Sequence, residues 1–206
     1  MAALPAALLA RAADAAAPGG FGLDDVAAMA RARARRAYRP PARDLPESLA
    51  ALSYDDYRDI RFAPDHALWS REGLPFRLQF FHRGGFFKDR VDLYEVRAGR
   101  AAPIAYSADL FTFGRQFPDG PPRGLRPDLG FAGFRIHARI NRPDYFDEVA
   151  VFLGATYFRA VAKDMLYGLS ARGFSIGAGG VEEFPAFRAF WIEQPRPAAL
   201  GPSIRA

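Results

Sequence analysis

From Phe76 to Gln194, apolar and polar residues alternate with a period of two, and this pattern constrains the fold more than anything else in the chain. In PFRLQFFH, Phe76, Leu78 and Phe80 share one face, while Arg77, Gln79 and Phe81 share the other. VDLYEV (91–96), GFRIHARI (133–140), EVAVFLGA (148–155) and FRAFWIEQ (187–194) repeat the signal. Clusters of Gly and Pro at 83–85, 117–124 and 177–180 punctuate them. Such spacing predicts a mainly β protein, an antiparallel sandwich or barrel, and not a doubly wound sheet. The 19 phenylalanines suit a pleated surface that packs aromatic rings.

The N-terminal part reads differently. From Leu23 to Tyr38, Val26, Met29, Ala30, Ala34, Ala37 and Tyr38 recur at helical spacing, and Arg31, Arg33, Arg35, Arg36 and Arg39 cover the remaining surface. Pro40 and Pro41 end that helix. A second short helix is expected after Pro46, running to Leu52, with YDDYRDIRF (54–62) extended. The opening MAALPAALLARAADAAAPGG has a short apolar stretch and the small-residue sites ARA and ADA, but no basic region before them. Its own residues suit either an export signal cut short or an alanine-rich helix.

Composition removes several chemistries. The chain has no cysteine, which excludes disulfides, thiolate catalysis and cysteine-based zinc sites. No apolar run reaches 18 residues, so no membrane span is expected. The formal charge of +5 permits a polyanion partner, yet outside the N-terminal cluster arginines alternate with acids, so nucleic acid is not expected. In YGLSARG, Gly173 falls one residue late for a nucleophile elbow around Ser170. His66, His82 and His137 stand apart, without metal-ligand spacing, and no metal or cofactor is expected.

Three carboxylates, Asp144, Asp147 and Glu148, crowd the entrance to the strand EVAVFLGA. A glycosidase needs one carboxyl kept protonated and another acting as base or nucleophile. Nothing in NRPDYFDE separates two such environments, so no catalytic residue is assigned, and an ion pair from Asp147 or Glu148 to an arginine is expected instead. Sugar recognition is the more open chemistry, because aromatic faces stand beside planar hydrogen-bonding groups. Trp69 with Arg71, Tyr157 with Arg159, Tyr167 with Arg172 and Trp191 with Glu193 provide both. Tyr157 and Arg159 are the preferred substrate-binding pair because they follow Gly154, where a missing side chain allows close approach. The competing reading has Tyr157 and Phe158 filling the core between sheets.

Taken together, LSYDDYRDIRF, LPFRLQFFHRGGFFKDRVDLYEV, PIAYSADLFTFG, DLGFAGFRIHARINRPDYFDEVAVFLGATYFRAV, YGLSARGFSI and EEFPAFRAFWIEQP resemble the N-terminal part of the periplasmic glucan biosynthesis protein G/D family. The resemblance runs from Leu45 to Pro195, with FFHRGG (80–85) and FLGATYFR (152–159) as its most specific blocks. It implies a galactose-mutarotase-like β-sandwich, incomplete here, with short N-terminal helices. It also implies a periplasmic location and a β-1,2-linked glucan partner from osmoregulated periplasmic glucan metabolism. Residues 1–17 then read as the remnant of an export signal, 18–44 as a helical segment, 45–195 as the sandwich, and 196–206 as a tail outside the family pattern. Relatives of protein D act as endo-β-1,2-glucanases, but their catalytic acid falls downstream of the matched region, which implies a truncated chain, inactive alone. Two other functions remain open: a stand-alone, non-catalytic carbohydrate-binding module, and an interaction protein whose exposed sheet edge recruits a partner; such edges also offer a route to self-association.

Overall fold

The computed structural model describes residues 20–41, 44–197 and 204–205. The stretch 1–17, read above as an export-signal remnant, lies outside them. Three short helices come first: α1 (Leu23–Ala34), α2 (Glu47–Ala50) and α3 (Tyr54–Arg58). Eleven strands follow among the described residues: β1 (Arg61–Phe62), β2 (Phe76–Phe81), β3 (Asp92–Arg97), β4 (Arg100–Pro103), β5 (Phe111–Thr112), β6 (Gly133–Ala138), β7 (Asp147–Leu153), β8 (Tyr157–Ala160), β9 (Ala171–Arg172), β10 (Ala189–Glu193) and β11 (Ile204–Arg205). The mainly β fold read from the alternation is what the chain adopts. Residues 54–58 are a correction: they are helical, because Ser53 caps the turn by accepting from the Asp56 N–H at 3.2 Å. Only Arg61 and Phe62 of YDDYRDIRF are extended.

The principal sheet has the order β2-β6-β7-β8-β9, antiparallel throughout. Its register lines up Phe80, Phe134, Phe152 and Phe158 on four successive strands. Phe134 and Phe152 stack at 4.9 Å, and Phe152 and Phe158 at 5.9 Å. Leu78, Ile136, Ala150 and Ala160 form the next row. A second sheet, ordered β11-β10-β3-β4, faces this apolar side. Phe190 of β10 carries the contact, 5.0 Å from Phe134 and 5.3 Å from Phe152. The two sheets thus enclose one core, as in a sandwich.

One pairing departs from the antiparallel expectation: β10 runs parallel to β3. Period-two patterning is the same in either direction, so only the long path from β3 through the other sheet determines the sense. Close approach also explains one glycine. A Cβ on Gly133 would lie 2.1 Å from the Phe152 carbonyl oxygen, so no side chain fits where β6 meets β7.

A buried polar knot joins the helical segment to the core. Arg83 is fully enclosed, donating to the carbonyl oxygens of Lys88 (2.7 and 2.9 Å) and Leu129 (2.8 Å) and to Asp44 (2.7 Å). Beside it, His82 Nδ1 lies 2.7 Å from the Arg83 carbonyl and Nε2 lies 2.8 Å from the Tyr106 hydroxyl. A carbonyl only accepts, so Nδ1 carries the proton and the tyrosine donates to Nε2. This neutral tautomer is fully bonded, which removes any reason for the ring to charge.

Burial drives the His82 pKa down to about 4, with its bond to the Arg83 carbonyl opposing. Because the folded value lies below that of the unfolded chain, the unfolded state binds the extra proton as pH falls from about 6.5. The stabilisation is therefore complete above that pH and is lost downward through about 4. Equilibrium denaturation across this window is expected to show a loss of about 3 kcal/mol from this group. In His82→Gln that part of the pH dependence disappears, whatever the variant's stability at neutral pH.

Candidate functional site

Burying one side of the principal sheet turns its alternate residues outward, and those residues form a connected polar surface. Gln79, Arg135, Val151 and Arg159 lie in one row across β2, β6, β7 and β8. Arg77 stands opposite His137, and His137 opposite Glu148. Arg135 donates to Gln79 at 2.7 Å and to Glu148 at 3.1 Å, and Arg159 donates to the other Glu148 oxygen at 3.3 Å. One carboxylate therefore ties together two guanidiniums from strands on either side of its own.

Glu148 reaches this surface through a break in the register. The pairing shifts between Ile136 and His137, so that Ala150 pairs with Ile136 while Glu148 pairs with His137. Strict alternation would give Glu148 the same facing as Ala150 and Phe152, into the core. The bulge rotates it outward, a common use of an extra residue beside a binding surface.

The two sequence candidates land on this same face. Tyr157 is half-buried and pairs with Arg172 across β8 and β9. Arg159 sits one step along, with its guanidinium 4.6 Å from the Tyr167 ring centroid. The Tyr167 hydroxyl in turn donates to the Glu148 backbone carbonyl. Tyr167 is thus brought to Arg159, and Arg172 turns instead to Glu182 at 3.1 Å. Phe158, not Tyr157, joins the phenylalanine row of the core. The space beside Gly154 is filled by protein, since a Cβ there would lie 3.0 Å from the Phe87 ring. The close approach expected at this glycine is therefore that of Phe87.

The other carboxylates are engaged locally. Asp144 takes Arg142 at 2.7 Å, and Asp147 accepts from Asn141 at 3.0 Å. That bond from Asn141 holds the Asp147 carboxyl below its ordinary range. Burial lowers His137, although its Nδ1 contact with the Phe146 carbonyl opposes the shift. Trp69 is buried and donates to Glu95 at 2.7 Å, and Trp191 stacks on Tyr94 at 5.2 Å. Neither indole is on the polar face of the principal sheet. A cleft of about 720 Å³ opens beyond Gly154, lined in part by Asp44, Arg83, Phe86, Phe87 and Phe187. Its enclosed cation, Arg83, is already committed to Asp44 and two carbonyls.

Sequence reasoning missed Gln79 and Arg135. Their signal was nonetheless present, as the polar phase of the alternations FRLQFFH and GFRIHARI. Phe146 and Arg139 extend the face: Arg77 and Arg139 approach the Phe146 ring at 3.9 and 4.3 Å. A surface of this kind can hold a polyhydroxylated ligand through planar donors and acceptors on either side of aromatic rings.

Residues 21–206 match the family model described as periplasmic glucan biosynthesis protein, MdoG. The chain belongs to the MdoG family. The match takes in the helical segment and the last residues as well as 45–195. Among similar MdoG-family members, a glucans biosynthesis protein G from Rhodopseudomonas palustris (strain BisA53) is 56% identical over 92% of this chain and 37% of its own length. The protein of that name from Bradyrhizobium diazoefficiens is 52% identical over 98% of this chain and 40% of its own. One from Vibrio cholerae is 47% identical over 86% and 32% respectively. The chain therefore spans about two fifths or less of the length of these curated relatives.

The shared carboxylate makes a direct test of the polar surface possible. Glu148→Gln leaves the Arg135 and Arg159 guanidiniums facing each other without a counter-charge. A loss of about 0.5–1 kcal/mol is expected in urea denaturation, given that all three side chains are partly exposed. In Arg135→Gln the same substitution at 148 is expected to cost less, which a double-mutant cycle measures.

Proposed function

We propose that this chain forms the glucan-holding β-sandwich portion of a periplasmic protein that processes β-1,2-linked glucan. The observation that carries this reading is the meeting of Tyr157, Arg159, Tyr167 and Arg135 on one sheet face, with the buried Gln79 holding Arg135 from beneath, in a chain of the MdoG family. Sugar rings present C–H faces to aromatic side chains and hydroxyls to planar amide and guanidinium groups. This face offers both chemistries along successive strands, at a spacing suited to an extended chain. The family description supports a periplasmic setting. Among the described residues, no helix is long and apolar enough to cross a membrane.

Holding, and not cleaving, is the role assigned to this portion. A general acid must keep its proton, whereas Asp147 is held ionised by Asn141 and Glu148 is committed to two guanidiniums. Self-association is a second reading, and it has its own observation. Met165, Leu166, Leu169, Phe174, Val181 and Phe184 are exposed beside the two-residue edge strand β9. Apolar exposure on that scale is a feature of contact surfaces. Sedimentation over a hundredfold range of concentration separates the readings, because a surface that pairs two copies gives a concentration-dependent mass.

The binding test is an NMR titration of the chain with linear β-1,2-glucan. Saturable shifts confined to the β6–β9 face are expected, at millimolar affinity, since a flexible glucan must be immobilised by few contacts. Tyr157→Ala and Arg159→Ala are each expected to weaken binding several-fold while the spectrum stays folded. Binding that is unchanged in both variants would remove these residues from the site. No release of reducing ends is expected from the chain alone.

A further inference from the structure

The arginine cluster at the end of α1 is the strongest charged feature that the polar sheet face does not use. Arg31, Arg33, Arg35, Arg36 and Arg39 follow one another closely, and no acid occurs between Asp25 and Asp44. Among the described residues, none of these guanidiniums has a hydrogen-bond or ion-pair partner. The two flanking acids are engaged elsewhere. Asp25 accepts from the Gly22 N–H at 2.7 Å, and Asp44 takes Arg83 at 2.7 Å.

The segment is held at both ends and bare between them. Before it, the Phe21 N–H donates to the Gly99 carbonyl at 2.7 Å, the Phe21 ring stacks on Trp191 at 5.8 Å, and Val26 is buried. After it, Asp44 is fixed by the enclosed Arg83. From 30 to 40 every residue is exposed. Arg31 and Arg33 lie on α1, about 200° apart around its axis. The helix stops at Ala34, so Arg35, Arg36 and Arg39 continue beyond it. The guanidiniums therefore project in several directions, from a backbone that otherwise carries mainly alanine.

Those features select among anionic partners. Charges that point several ways do not all meet one face of a folded acidic protein, whose carboxylates are fixed in place. In a bilayer, anionic headgroups diffuse laterally and gather around each guanidinium that reaches the surface. Arginine pairs with phosphate through two parallel N–H bonds, and every cation of the cluster is an arginine. Tyr38, 84% exposed, stands among them, and a tyrosine ring favours the headgroup level of a membrane. The family is described as periplasmic, and that compartment is bounded by membranes.

We propose that residues 30–40 dock on the surface of an anionic phospholipid bilayer, as a peripheral contact and not a span. The attraction is that of a basic cluster for a negatively charged leaflet. The arm begins on the far side of the sandwich from the polar face. Trp191 alternates with the core residues Phe190 and Ile192, so it and Phe21 lie on the outer side of the second sheet. Docking there leaves the polar face of the principal sheet open, and the contact does not depend on what that face holds.

Co-sedimentation of the full chain with phosphatidylcholine vesicles, with and without roughly 30% phosphatidylglycerol, tests the docking. At low ionic strength the chain is expected to partition about tenfold more strongly to the anionic vesicles. That preference should fall away at roughly 0.5 M salt, where exposed charges are screened. It should vanish in the variant Arg31→Gln, Arg33→Gln, Arg35→Gln, Arg36→Gln, Arg39→Gln, whose fold stays intact because these side chains have no partner to lose. With a spin-labelled lipid in the anionic vesicles, amide signals of residues 30–40 in the unaltered chain should broaden more than those of β7 and β8. An unchanged preference in the variant, or broadening centred on β7 and β8, overturns the arm as the contact. Equal partitioning to the two kinds of vesicle, or none to either, overturns the docking. Duplex DNA or polyglutamate bound as tightly as the anionic vesicles, at equal anionic charge, overturns the lipid assignment in favour of a general polyanion surface.

Discussion

The row formed by Phe80, Phe134, Phe152 and Phe158 is the constraint from which the rest of the structure follows. Each ring buried against the second sheet contributes on the order of 2–3 kcal/mol, and stacked neighbours add to it. A slip of one residue in any of the four strands would send its phenylalanine into water and bring Gln79, Arg135 or Arg159 into the core. The aromatic row therefore determines the register, and the register determines which residues meet on the other side. The polar surface is a consequence of how the apolar one packs. Phe190 completes the arrangement from the facing sheet, touching both Phe134 and Phe152.

Against that regularity the bulge at Ile136/His137 stands out as a local exception with a chemical result. It gives Glu148 an outward facing and so creates the Arg135–Glu148–Arg159 link. Partly exposed ion pairs contribute little to stability individually. Their value here is geometric, since two long flexible guanidiniums are held at fixed points on adjacent parts of the sheet. Tyr167, arriving from the loop after β8, covers Arg159 and bonds to the Glu148 backbone. Placement of this kind lowers the entropy a ligand must offset when it binds.

A different logic governs the junction with the helical segment. Arg83 and His82 are almost wholly buried, yet their hydrogen-bonding groups are matched by carbonyls, a carboxylate and the Tyr106 hydroxyl. Burying such groups is favourable only when the partners are all present, so this knot requires Asp44, the turn after β2, the segment carrying Tyr106 and the loop before β6 to be in place together. It fastens Asp44 and the short helices to the sandwich, and leaves the sheet face beyond β7 free for its own chemistry.

The alternation in FRLQFFH, GFRIHARI, EVAVFLGA and FRAFWIEQ by itself determined that the chain is mainly β, which strands form the core, and which residues of β2 and β6 face away from it. Period two is a local property, and local sterics enforce it. The family blocks, being local too, were equally legible, as was the presence of Tyr157 and Arg159 on one face of a strand. The helix at Tyr54–Arg58 was not, because a serine cap outweighed an extended-looking pattern over five residues. Only the tertiary structure decided that β10 runs parallel to β3, that Tyr167 meets Arg159 and not Arg172, that Phe87 makes the close approach at Gly154, and that Glu148 turns outward. Each of these depends on contacts between residues far apart in the chain or on a single extra residue in a register. Strand direction, loop reach and bulges leave no trace in the periodicity of hydrophobic side chains, so packing alone could settle them.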